Sequence, residues 1–338
     1  MDRFARLPAA DREAFISETA ERRGVAHTIV EKDFWVCWTL KHLFGLPDRP
    51  GLLFRGGTSL SKAYGLIRRF SEDIDITIDR TDLGFGESRE DLATMTGNKR
   101  QRWIDSVDDA CKVHVAEKLL PSITDVFEGI LGKVPDTSWR IGVDPESAKT
   151  ILFEYPPTGP SRQAGYIQET VRIAMGARGE CEPCASREIR SYAAEVFPTE
   201  FEDPACELMT LAAERTFWEK ATALHAWHHG DNPEKAHRAS RHYYDVCMLA
   251  RSKVKSRALA APELLADVAD HKVLLFRSAW AKYEEAKPGT LRLVPQPTFR
   301  AALATDYRDM REMFFDEPPP FEDVMAELES LESEIHSL

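Results

Sequence analysis

The stretch Asp73-Ile-Asp-Ile-Thr-Ile78 constrains this chain more than any other. Polar and branched apolar residues alternate strictly, and that period is the mark of a half-buried strand. In a strand, residues two apart share a face, so Asp73, Asp75 and Thr77 point one way while Ile74, Ile76 and Ile78 enter a core. Two carboxylates side by side repel each other unless a cation lies between them. Magnesium suits such a pair, because it takes a few carboxylates together with the phosphate oxygens of a substrate. Metal ions bridging attacking and leaving oxygens are a general solution to nucleotidyl transfer. Asp-x-Asp also occurs on ordinary exposed strands, so the pair needs a second signal.

That signal lies just upstream. Leu52-Leu53-Phe54 is a short apolar run that enters Gly56-Gly57 and reads as a strand followed by a tight turn. Glycine lets the backbone approach a ligand closely. Thr58 or Ser59 is suited to cap a helix carrying Leu60, Ala63, Tyr64 and Ile67. Backbone N–H groups at such a helix start, joined by the Thr58 and Ser59 hydroxyls, form an anion site, with Lys62 one turn further in. Gly56, Gly57, Thr58, Ser59 and Lys62 are therefore candidates to bind nucleotide, and Asp73 and Asp75 to bind metal. The Gly-Lys-Ser/Thr ending of a Walker A loop is absent.

The surrounding pattern predicts an α+β chain in two parts. Helices are expected over Ala10–Arg22, Val30–Phe44 and Asn98–Leu120, with strands over Ile151–Tyr155 and Tyr166–Met175. The stretch Val134–Pro160 is rich in Pro and Gly. From about Asp203 the pattern turns helical, most clearly over Ala205–His228, His242–Arg251 and Phe321–Leu338. This predicts a mixed α/β domain over residues 1–200 and a helical domain over 201–338.

The formal net charge of −12 argues against a general nucleic-acid coat but leaves room for a local basic groove. Arg68-Arg69, Lys99–Arg102, Lys235–Arg241 and Lys253–Arg257 are basic runs of the kind usually found on solvated faces. No segment approaches the ~20 apolar residues of a membrane span. The N-terminus lacks a secretory apolar stretch, and the six scattered cysteines do not form a disulfide framework. A cytoplasmic protein without a membrane partner is expected.

Gly-Gly-Thr-Ser-Leu, a helix, then Ser-Glu-Asp-Ile-Asp-Ile resembles the nucleotidyltransferase signature of the DNA polymerase β superfamily. More narrowly the chain resembles the AbiEii/AbiGii toxin family, which includes the MenT toxins. Glu31-Lys-Asp-Phe-Trp35 is similar to that family's N-terminal helix, Thr216–His225 to its helical lysine motif, and Arg241-His-Tyr-Tyr-Asp-Val246 to its closing motif. The resemblance runs from about residue 30 to 250.

It implies a polymerase β-type domain, a mixed sheet flanked by helices, with a C-terminal helical domain completing the active-site cleft. Asp73 and Asp75 would bind Mg2+, and Gly57 and Ser59 the triphosphate. Lys220 would contact nucleotide phosphates, and Asp245 would complete the site. An Arg241–Asp245 pair on one helix face is the competing structural role for that aspartate. The implied activity is transfer of a nucleoside monophosphate from a nucleoside triphosphate to an acceptor hydroxyl, the tRNA 3′ end in the MenT branch. That would block translation in toxin–antitoxin or phage defence, under restraint by a cognate antitoxin.

One position departs from the pattern. Such enzymes use a third carboxylate on a later strand, which helps bind metal and takes the proton from the attacking hydroxyl. Alternation puts Gln168, Thr170, Arg172 and Ala174 on the polar face of the matching strand, and Ala174 stands where the resemblance implies a glutamate. Either this is a naturally weak branch, or a toxin disabled by replacing glutamate with alanine. Glu169 falls on the wrong face, and Glu180 follows a glycine turn. The departure keeps two alternatives open: a nucleotide-binding module without turnover, and an enzyme that nucleotidylates a protein or small molecule.

Other signals carry less. Cys181-Glu-Pro-Cys184 is half a zinc site with no second half. His225, His228, His229, His237 and His242 lie around a helix end and read as surface or capping residues. Trp218 and Trp227 read as helix packing, and the acidic last helix as a packed or partner-binding amphipathic element.

Overall fold

The alternating segment forms the central strand of a seven-stranded mixed sheet, ordered β3-β4-β5-β2-β1-β7-β6. The strands are β1 (Leu52–Arg55), β2 (Asp73–Ile78), β3 (Arg140–Asp144), β4 (Ser147–Glu154), β5 (Thr170–Gly176), β6 (Cys184–Arg190) and β7 (Ala205–Leu211). β2 runs antiparallel to β1 and parallel to β5, while β1 and β7 are parallel. This computed structural model describes residues 1–133, 138–159, 168–230 and 237–338. Val134, Pro160, Tyr166 and Lys235, the ends of segments picked out above, fall outside the described residues.

The helices, in chain order, are α1 (Asp2–Ala5), α2 (Ala9–Arg23), α3 (His27–Phe44), α4 (Gly56–Lys62), α5 (Arg89–Thr94), α6 (Gly97–His114) and α7 (Leu120–Leu131). They continue with α8 (Tyr192–Val196), α9 (Ala213–His229), α10 (Ser240–Ala250), α11 (Lys253–Leu259), α12 (Pro262–Leu275), α13 (Pro297–Asp309) and α14 (Phe321–His336).

The chain divides into two units. One holds residues 1–63, 70–86 and 96–210, and the other holds 64–69, 87–95 and 211–338. The first contains the sheet. Its helix α3 is buried over fourteen of its 18 residues, so it is a core helix rather than a surface one. Trp35 stacks on Tyr155 at 5.7 Å between ring centroids, and Trp38 meets Phe127 at 4.4 Å. Aromatic pairs of this kind add about 0.5–1.5 kcal/mol beyond simple burial.

Two expected helices are corrected here. Residues 205–211 form strand β7, not the start of a helix. Leu208 and Thr210 are buried while Glu207 and Met209 face out, a period of two that only a strand satisfies. No glycine or proline separates β7 from α9, so the junction lacks a sequence mark. β7 also carries the first unit past residue 200 to Thr210. The helix expected over 98–120 stops at His114 and passes through a π-helical turn, Val115–Leu119, into α7. Pro121 has no N–H for the carbonyl four residues back and crowds it, so regular α geometry cannot continue.

The second unit is helical. α9 packs against α10, α11 and α12, and α14 against α10. Val324, Leu328, Leu331 and Ile335 of α14 are buried, whereas Leu338 lies beyond the helix and is exposed. The acidic side chains of α14 are met by bases of the same unit. Glu327 pairs with Arg251 at 2.9 Å, Glu334 with Lys255 at 3.0 Å and Glu332 with Arg292 at 3.0 Å. This helix is a packed element of its unit.

Candidate functional site

In the sheet-bearing unit, β2 holds Asp73 and Asp75 half-buried on one face, with Ile74, Ile76 and Ile78 buried on the other. Residues opposite one another across a ladder share a face. Asp75 lies opposite Arg55 on β1 and Ala174 on β5, and Asp73 lies opposite Arg172. The position expected for a third carboxylate is therefore beside Asp75, and it carries a methyl group. Thr150 of β4 flanks Ala174 on its other side. The two nearby glutamates do not replace it. Glu180 turns to Arg80 at 3.4 Å, and Glu169 precedes β5.

Gly56 is required where it stands. Its φ is +77°, and a Cβ there would run into the Asp75 carboxylate, 3.0 Å from Cγ and closer still to one oxygen. The turn and the aspartate are thus built against each other. Gly57, Thr58 and Ser59 form the first turn of α4, whose N–H groups have no acceptor earlier in the helix.

Thr58 and Ser59 do not cap this helix, because it already begins at Gly56. Both are buried, and their hydroxyls point inward: Thr58 donates to the Asp73 carbonyl and accepts from the Ser71 hydroxyl, and Ser59 donates to the Gly56 carbonyl at 2.9 Å. What this turn offers a phosphate is backbone N–H.

Lys62 is also corrected. Its ammonium is 2.7 Å from Asp33 Oδ1, with side-chain exposures of 5% and 1%, and it lies 3.8 Å over the Tyr192 ring. Burial opposes the charge on Lys62, but the Asp33 carboxylate outweighs it and raises the ammonium well above its ordinary value. Its charge is met inside the fold by Asp33. Lys32, one residue before Asp33, pairs with Glu72 at 2.7 Å and donates to the Gln168 carbonyl at 2.8 Å. The Glu-Lys-Asp segment of α3 thereby holds α4 through Lys62 and the start of β2 through Glu72.

Two carboxylates on one strand face are a hard-oxygen donor set that fits Mg2+ shared with phosphate oxygens. No group of three or more His, Cys, Asp or Glu placed to hold a metal occurs among the described residues. Cys181 and Cys184 are free thiols.

In the helical unit, Asp245 of α10 is completely buried. It accepts two hydrogen bonds from Arg69, Nε to Oδ1 and Nη2 to Oδ2, each 2.8 Å, and Lys220 of α9 lies 2.8 Å from Oδ2. Its partners are Arg69 and Lys220, not Arg241 as the helical spacing suggested. Burial pushes the Asp245 carboxyl up, but Arg69 and Lys220 together hold it well below the usual carboxylate range. Burial lowers Lys220, against the pull of Asp245. Asp245 thus holds the Lys220 ammonium and the Arg69 guanidinium together on one carboxylate. Arg69, read in the sequence as part of a solvated basic run, is instead buried, because its partner lies 176 residues away.

His242, set aside with the other histidines, has Nδ1 3.3 Å from Lys220 Nζ. His225 is buried and structural: Nδ1 accepts from the Arg292 N–H at 3.0 Å, and Nε2 donates to the Lys282 carbonyl at 3.0 Å. Trp218 is fully buried, and Trp227 stacks on Tyr243 at 6.0 Å.

The chain falls in the class of nucleotidyltransferases, since residues 38–327 match the family described as nucleotidyl transferase AbiEii toxin, type IV toxin–antitoxin system. It belongs to that AbiEii family. Among solved structures it is similar to MenT4, a nucleotidyltransferase toxin from Mycobacterium tuberculosis H37Rv, at 14% sequence identity and a TM-score of 0.43, covering 96% of this chain and 98% of that one. No curated protein matches the sequence. Among the described residues no helix is long and apolar enough to cross a membrane.

Proposed function

We propose that this chain is a cytoplasmic toxin that transfers a nucleoside monophosphate from a nucleoside triphosphate to an acceptor hydroxyl, the 3′ end of tRNA, and so blocks translation until a cognate antitoxin restrains it. The observation that carries this reading is the aspartate pair on one face of β2, with Asp75 packed against Gly56. Asp73 and Asp75 hold Mg2+ together with the triphosphate. When bound, the ion neutralises phosphate charge and polarises the phosphorus under attack. The first turn of α4, from Gly56 to Ser59, offers backbone N–H groups to phosphate oxygens. Lys220, steadied by Asp245, offers a compact positive charge to the same kind of group.

Ala174 supplies no base for the proton of the attacking hydroxyl. That favours a second reading, a nucleotide-binding module that binds and does not turn over. One assay separates them. The chain and its Ala174→Glu variant are incubated with magnesium, total tRNA and each α-labelled nucleoside triphosphate. Label on tRNA that rises at least tenfold in the variant supports the tRNA-modifying reading. Nucleotide binding without pyrophosphate release from either version supports the module. Label on protein transfers the activity to a protein acceptor, and no binding and no label sinks both.

A further inference from the structure

We infer that His242 is a second phosphate-binding donor, its Nε2–H acting beside the Lys220 ammonium on a phosphate group. This rests on the proposed nucleotide chemistry and extends it to a residue of the helical unit. An ammonium has three N–H donors and no lone pair. Lys220 directs one donor to Asp245 Oδ2 at 2.8 Å and one to His242 Nδ1 at 3.3 Å. His242 Nδ1 is therefore the acceptor, and the imidazole proton sits on Nε2.

Neither side chain makes another hydrogen bond among the described residues, so one N–H of Lys220 and the Nε2–H of His242 remain to be used. The imidazole is half-buried, and its ring meets the Trp227 ring edge-on at 5.2 Å. Burial, reinforced by Lys220 and Arg241, keeps it neutral, far below its ordinary value. The result is one charged donor and one uncharged donor, linked and held in fixed orientation. Asp245 and the Trp227 contact fix the geometry, and a phosphate oxyanion accepts from both. The neutral donor adds a hydrogen bond without adding a third positive charge beside Arg69 and Lys220.

Two substitutions separate this role from simple support of Lys220. In His242→Asn the amide oxygen replaces Nδ1 as acceptor for Lys220, and nothing replaces Nε2–H. In His242→Gln the amide nitrogen restores a donor near Nε2, and the acceptor for Lys220 is lost. Binding of inorganic tripolyphosphate, a non-hydrolysable ATP analogue and deacylated tRNA is measured for each full-length chain. The expected result is a loss of about tenfold or more in His242→Asn, the size of one hydrogen bond to a charged group, with His242→Gln within threefold of the parent. The opposite order makes His242 a positioning residue only and overturns the inference, as do two unaffected variants.

Loss confined to tripolyphosphate and the ATP analogue assigns the phosphate to the nucleotide, and loss confined to tRNA assigns it to the RNA backbone. Either supports the donor role. If a variant fails to fold, nitrogen NMR of the parent decides. Tripolyphosphate should shift the Nε2–H resonance of His242, and an unmoved resonance overturns the inference. Intact tripolyphosphate binding with no nucleotidyl transfer would remove the enzymatic reading and leave this donor in place. No binding by the parent chain removes both.

Discussion

Asp33 and Lys62 meet at 2.7 Å in the interior, and through them α3 holds the helix that follows the Gly-Gly turn. A buried ion pair contributes little net stability against a well-packed apolar pair, but removing one partner strands the other charge. Asp33→Ala is expected to cost about 3–5 kcal/mol, and Asp33→Leu with Lys62→Met should recover most of it. Urea unfolding followed by circular dichroism measures both. The double variant should still bind an ATP analogue within about threefold, because Lys62 has no phosphate to hold; a loss of a hundredfold would return Lys62 to the nucleotide site.

Gly56→Ala is expected to damage binding and stability together. The left-handed φ alone costs an alanine on the order of 1 kcal/mol, and the new methyl must displace Asp75. Titration with Mn2+ and an ATP analogue, read by paramagnetic relaxation, should show at least a tenfold weaker complex. Gly65 has a similar φ of +62° but open space where a Cβ would go, so Gly65→Ala should cost stability alone. Equal binding by the two variants would remove the significance of the Gly56–Asp75 contact.

Asp245→Ala leaves Arg69 and Lys220 buried without their shared carboxylate. The expected loss is again about 3–5 kcal/mol. Replacing Arg69, Lys220 and Asp245 together by Met, Met and Leu should restore much of the stability while abolishing phosphate binding. A cost below about 1 kcal/mol for the single change would mean that the network is looser than its distances imply.

The pH dependence has a defined sign. Burial, helped by His229 and His228, brings His225 down to about 4 from its ordinary 6.5. The unfolded chain takes up the proton first, so the stability from neutral His225 is complete above about pH 6.5. It is lost as pH falls toward 4, by up to about 3 kcal/mol. The cause is visible in the bonds: Nδ1 must keep a lone pair for the Arg292 N–H. The unfolding midpoint should drop over this interval in the parent and drop less steeply in His225→Gln.

Much of this was legible in short-range pattern. The strand 73–78, its two faces, the Gly-Gly turn and the polar face holding Ala174 follow from a period of two and from glycine's freedom at φ > 0, whereas the place of Ala174 opposite Asp75 is set by the pairing of β2 with β5. What escaped has a common physical cause. Lys62 looked like a phosphate ligand because nothing near it in sequence shows that Asp33 waits 29 positions earlier. Asp245 looked paired to Arg241 because helical spacing ranks local partners first. β7 looked helical because Ala205, Leu208 and Leu211 also suit a helical stripe, and only its neighbours β1 and β6 reveal the strand. His242 looked like a surface residue because its role depends on α9.

The helical unit draws residues 64–69 from early in the chain, and their Arg69 closes on Asp245, 176 residues later. On the ribosome, at about 5–20 residues per second, that partner arrives roughly 10–35 s after Arg69 itself. During that interval Arg69, buried in the finished protein, lacks the carboxylate that pairs with it. A nascent toxin of this kind is therefore assembled late, and truncated translation products lack the network that steadies Lys220.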